Sequence, residues 1–164
     1  MFHLPEERQL GERTPLATIP KVGKEWKVGL SIKPTGQSVH GWSHCLIMQN
    51  FLEILFYLDE GVYVTHIAVK IKRREEGWLT ITRTLPQQLA VHTLRTRWFR
   101  VELEFCNNPM IGRCALRIFI DRVLIGFTLE NLQESVFEHE NISMETFDTG
   151  LMGSLKDVTV QTNI

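Results

Sequence analysis

From Trp26 to Lys33 the chain alternates without a break. Trp26, Val28, Leu30 and Ile32 fall on one side, and Lys27, Gly29, Ser31 and Lys33 on the other. Successive side chains of a β-strand point to opposite faces, so this period of two predicts a half-buried strand. Pro34-Thr35-Gly36 is expected to end it. Further on, Tyr63, Ile67, Val69 and Ile71 share a side with Thr65 among them, and a charged turn leads into a second alternating run from Trp78. Phe99, Val101, Leu103 and Phe105 then oppose Arg100, Glu102 and Glu104. Leu116, Ile118 and Ile120 follow, and Asp121-Arg122 predicts a tight hairpin turn into the run from Val123. The last alternation passes through Leu155, Val158 and Val160, with Asp157 breaking its phase.

Two stretches are less regular. Residues 45–61 carry apolar side chains at spacings a helix would also satisfy. Two strands near 44–49 and 52–58, separated at Gln49-Asn50, fit the surroundings better, because a lone helix among strands would need its own packing site. Residues 128–140 read as a loop with a weak helical turn. Many strands punctuated by turn signals predict an all-β, antiparallel two-sheet sandwich. The 164 residues suit one such domain, and no repeat or linker divides them. Residues 1–14 are expected to form a flexible lead-in and residues 15–164 the domain.

Charge narrows the partners. Lys and Arg number 18 against 19 Asp and Glu, a net charge of -1, so nothing in the overall balance favours nucleic acid or an anionic membrane. The basic runs at 70–76 and 95–100 have the charge to bind a sulfated glycan or nucleic acid, but they are interrupted by acids or split between faces, and read rather as solvated edges. No apolar run has the length of a membrane span. The first residues are charged where a secretion signal would be apolar, which fits either an intracellular protein or a domain of a longer secreted one.

Certain runs carry a family likeness. The segment 24–35 (KEWKVGLSIKPT), Trp98 opening RWFRVELEF, the hairpin segment LRIFIDR from Leu116 to Arg122, and the Gly-led terminal strand 153–162 together resemble the laminin-G-like, concanavalin-A-like jelly roll. The likeness spans roughly residues 15–162. Arg122 departs from the Gly often found at that turn. The resemblance implies a jelly-roll fold, and a recognition module for a glycan or protein in an adhesion or extracellular context. It also implies calcium at a loop rim, for which Asp59, Asp121 and Asp148 are the candidate ligands. A self-associating protein using an open face or edge strand is the alternative, and a glycan-cleaving hydrolase the third reading.

No catalytic constellation emerges from the residues themselves. Glu102 and Glu104 share a face, as a carboxylate pair flanking a glycosidic bond would. Arg100 lies beside them, however, and cross-strand ion pairing accounts for all three. The binding candidates are Trp42 and Trp78, which border polar turns where an aromatic ring can stack on a ligand, and His40 and His44, which flank Trp42. Trp26 and Trp98 open apolar strands and are expected in the core. Asn141-Ile142-Ser143 matches an N-glycosylation acceptor beside an expected loop. Phase places Cys106 outward and Cys114 inward, so a regular hairpin would hold both thiols free.

Overall fold

A computed structural model describes the chain apart from residues 11–12, 38–40, 59–63, 76, 87–96, 109–112, 129–131, 133–134, 147–150 and 163–164. The described residues form thirteen strands: β1 Phe2–Leu4, β2 Arg8–Leu10, β3 Thr14–Val22, β4 Trp26–Gln37, β5 Gly41–Met48, β6 Leu52–Leu58, β7 Val64–Lys72, β8 Trp78–Thr84, β9 Phe99–Asn108, β10 Arg113–Ile120, β11 Val123–Thr128, β12 His139–Thr146 and β13 Leu151–Thr162. All pairings are antiparallel. One sheet, sheet I, runs β1-β13-β4-β9-β10-β11, with β2 also on β13; sheet II runs β3-β12-β5-β6-β7-β8. Chain-adjacent β4 and β5 sit in different sheets, and β12 and β13 likewise, so the chain crosses the sandwich repeatedly.

The core lies between the sheets and is built from the alternating faces legible in the sequence. Val28, Leu30 and Ile32 of β4 meet Val101, Leu103 and Phe105 of β9, all at most 1% exposed. Trp26 stacks on Phe105 at 5.3 Å and meets the Phe51 ring edge-on at 5.0 Å. The indole thus ties β4, β9 and the β5–β6 turn together. Burial of aromatic rings of this size dominates core energetics.

Local chemistry sets the turns. Asn50, between β5 and β6, has a positive φ of 58°, and the strands on either side of it bear out the two-strand reading of residues 44–58. Asp121 and Arg122 both adopt positive φ, the backbone that lets a two-residue hairpin match strand twist. β13 bulges between Lys156 and Thr159, where Asp157 has a φ of 50°. The bulge explains the broken phase, because one added residue returns Val158 and Val160 to the core side with Leu155.

Several expectations are corrected. β4 runs through Pro34 to Gln37 rather than stopping there. Pro34 lies opposite Gly153 at a bulge, a site that accommodates the missing proline donor, and a Cβ on Gly153 would meet the Lys33 carbonyl oxygen. Within the segment expected to be a flexible lead-in, Phe2–Leu4 and Arg8–Leu10 pair with β13. Residues 139–146, whose first two fall in the stretch read as loop, form strand β12, where alternating Ile142 and Met144 are buried and Ser143 is exposed. Asn141 of the glycosylation acceptor is therefore an exposed strand residue, with φ 52°.

Candidate ligand-binding face

The outward side of sheet II sets one sequence candidate, Trp42, in a row of rings. Trp42 on β5 lies opposite Tyr57 on β6, which lies opposite His66 on β7. Ring centroids are 5.3 Å apart for Trp42–Tyr57, 5.7 Å for Tyr57–His66 and 6.4 Å for Trp42–His66, all edge-to-face. Such contacts hold an indole in place from one side. Its other surface is open, and Trp42 is 41% exposed.

The neighbouring row supplies a floor and polar groups. His44, Leu55, Ala68 and Thr82 follow in register across β5 to β8. Leu55 and Ala68 are buried although their strand neighbours Ile54, Phe56, Ile67 and Val69 take the core side, so they line the outer surface between taller side chains. His44 Nε2 stands 2.7 Å from Glu53 Oε1, and Thr65 Oγ1 is 2.9 Å from His66 Nδ1. Thr82 and Thr84 of β8 are exposed. A bulge after His44 places Cys45 in the interior, where burial pushes its thiol up to about 12. That bulge keeps His44 on the outer face while returning Leu46 to the core.

The other sequence candidates do not join this cluster. Trp78 sits opposite Lys72, six residues along β7 from His66, or about 20 Å at the usual strand rise. It is half-buried, and the Lys72 ammonium lies 6.0 Å from its ring centre. His40, Asp59 and Asp148 lie outside the described residues. The Asp121 carboxylate is already engaged, with Oδ1 accepting the Arg100 backbone N–H at 2.8 Å and Oδ2 lying 3.4 Å from Arg97 Nη2. Among the described residues, no group of three His, Cys, Asp or Glu side chains is placed to hold a metal.

Tyr57, His66 and Glu53 were not singled out from sequence. Their signal was phase: each occupies the outward position of a strand whose alternate residues are apolar. The partnership itself was not legible, because it depends on how three strands register.

On sheet I, Glu102 pairs with Lys27 at 3.3 Å and Glu104 with Arg117 at 3.2 Å, in a groove of about 370 Å³ that Phe119 and Arg122 also line. Both carboxylates therefore sit in cross-strand ion pairs, as the shared face suggested. Trp98 corrects another expectation. It is half-buried on the outer side, because Phe99 takes the core phase, and the ammonium groups of Lys33 and Lys156 lie over its ring.

The strand order and two-sheet architecture define a concanavalin-A-like jelly roll. Solved structures of that architecture match almost the whole chain. The binding domain of botulinum neurotoxin serotype D aligns with a TM-score of 0.65 and 14% identity, covering 96% of this chain and 39% of that one. The binding domain of botulinum neurotoxin DC, solved in complex with SialylT, aligns at 0.58 and 13%, covering 98% and 44%. A native heptameric SAP-like pentraxin from Limulus polyphemus aligns at 0.58 and 11%, covering 96% and 68%. The chain thus spans less than half the length of the toxin domains. No family model and no curated protein matches it.

Proposed function

We propose that the protein is a non-catalytic recognition module that binds a glycan on the outer face of sheet II, with Trp42 as its stacking platform. The observation that carries this reading is the 41% exposure of an indole already braced by Tyr57 and His66. A pyranose presents an apolar C–H face and a rim of hydroxyls. The first matches an open aromatic ring, and the second needs donors and acceptors nearby. His44, Glu53, Thr82 and Thr84 supply them. The neurotoxin DC domain, solved with SialylT, lends fold-level support by analogy. Kinship with laminin-G-like domains, an extracellular adhesion setting and rim calcium belong to the same proposal.

A glycan array, followed by tryptophan-fluorescence titration of any hit with calcium or chelator present, tests it. Trp42→Ala should weaken binding at least about tenfold, roughly 1.4 kcal/mol, while Trp78→Ala retains it. An empty array, or undiminished binding by Trp42→Ala, would overturn it.

One observation favours a second reading, self-association. Val123 and Leu124 are 49% and 50% exposed on β11, which ends sheet I. Apolar side chains on an edge strand are a template for pairing with a second copy. Light scattering of the purified chain against a Leu124→Lys variant tests this reading.

A further inference from the structure

We infer a second binding site, for a sulfated glycan, on the opposite side of the sandwich at Lys33, Trp98, Arg100 and Lys156. These residues come from three strand regions and meet only in the fold. Lys156 on β13, Ser31 on β4 and Arg100 on β9 lie opposite one another in register, and Lys33 is two residues along β4 from Ser31. Trp98 is two residues from Arg100 and leads into β9 on the same side.

The geometry gathers cations. Lys156 Nζ is 4.1 Å and Lys33 Nζ 5.2 Å from the Trp98 ring centre, so two ammonium groups share one indole. The ring attracts each ammonium, which offsets part of their mutual repulsion. Arg100 is fixed beside them by neutral oxygens. Its Nη1 donates to the Asp157 carbonyl at 2.6 Å and lies 3.4 Å from Ser31 Oγ, and its Nη2 donates to Thr159 Oγ1 at 3.0 Å. Gly29 makes room for it, since a Cβ there would stand 2.5 Å from Arg100 Nη2. The flanking carboxylates have neighbours of their own: Asp121 pairs with Arg97, and Asp157 Oδ1 lies 3.5 Å from His3 Nε2. A cavity of about 500 Å³ lined by Arg100, Glu102, Asp121 and Arg122 adjoins the cluster.

Three cations held on one sheet face, two of them against a single ring, match an oxyanion displayed on a larger scaffold. A sulfate ester can bridge Lys33 and Lys156 while its sugar chain continues along the cavity. The whole chain carries a net charge of -1, so the patch is a local feature that would select by position rather than by bulk attraction.

Heparin binding by the full chain at low and physiological salt tests the site, with desulfated heparin and single-stranded DNA as comparison probes. The wild type should bind heparin, more weakly as salt rises, and bind the other two at least about tenfold less well. The double variant Lys33→Gln, Lys156→Gln should lose at least about tenfold in affinity, whereas Lys21→Gln with Lys24→Gln, the same charge change elsewhere, should lose less than about twofold. Lys33→Arg with Lys156→Arg preserves charge and should retain binding, which keeps the test valid if the Gln pair folds poorly. Trp42→Ala should bind heparin normally, separating this site from the sheet II face. No heparin binding, equal loss in both Gln pairs, loss in the Arg pair, or equal binding of DNA or desulfated heparin would overturn the assignment.

Discussion

The imidazole of His139 packs on the ring of Phe51, centroid to centroid 4.5 Å. Phe137 covers it from another side at 4.2 Å, and its Nε2 is buried without a hydrogen-bond partner. Burial therefore holds the group neutral and lowers its pKa from 6.5 to about 4, against a smaller opposing effect from a hydrogen bond with the Asn50 backbone. The charged groups around it are Glu138 and Glu140 on its own segment, Lys21 on β3, paired with Glu138 at 3.3 Å, and Arg74, over the Phe137 ring at 5.7 Å.

An acid-sensitive stability follows from that depressed value. The unfolded chain takes up the proton near pH 6.5 and the folded chain only near 4. His139 thus contributes its full stability above about pH 6.5, and the contribution is lost as pH falls towards 4. The loss should amount to about 2–3 kcal/mol across that window. Urea denaturation at pH 7.5 and pH 5 should show it in the wild type and much less of it in His139→Leu. Equal pH dependence in both proteins would remove His139 from the explanation.

Cys45, Cys106 and Cys114 carry thiols rather than disulfides, and their environments differ. Ala115 lies opposite Cys106, and Cys114 opposite Asn107, in an unshifted register, so Cys106 takes the outer phase and Cys114 the core. Thiol titration of the denatured, unreduced protein should count three. In the native state only Cys106, which is part-exposed, should react on a short timescale, because Cys45 is fully buried with its thiol pushed up to about 12. A single reactive thiol after denaturation would contradict the register.

Trp26 is 1% exposed between Phe51 and Phe105. Trp26→Ala should cost about 3–5 kcal/mol, the range for emptying a large aromatic site, and chemical denaturation would measure it. A loss under about 1 kcal/mol would mean the surrounding rings collapse into the space.

Glu102 and Glu104 are partly exposed members of surface ion pairs. Glu102→Gln and Glu104→Gln should each change stability by less than about 1 kcal/mol and leave glycan binding on sheet II intact. Polysaccharide hydrolysis that disappears with Glu104→Gln would instead establish an enzyme.

Trp26 and Trp98 show what one-dimensional pattern can and cannot convey. Both precede apolar strands, and the alternation through Phe99 and Val101 already placed Trp98 on the outer side, yet strand-opening aromatics suggest core. β12 went unread because its polar residues, Glu140, Asn141 and Ser143, mask two buried apolar positions. β1 and β2 are three residues each, too short for periodicity to register.

Alternation along the chain predicts β4 to β11 and β13, most of their buried faces, the hairpin at Asp121-Arg122 and the phase of the cysteines. Each of these follows from the two-residue period of an extended backbone and from local φ preferences. Tertiary structure alone decided which outward residues meet. Trp42 reaches Tyr57 and His66 through the register of β5, β6 and β7, and Lys33 reaches Lys156 across more than a hundred residues of chain. Register depends on the whole sandwich closing over its core, and no local stretch of residues contains that information.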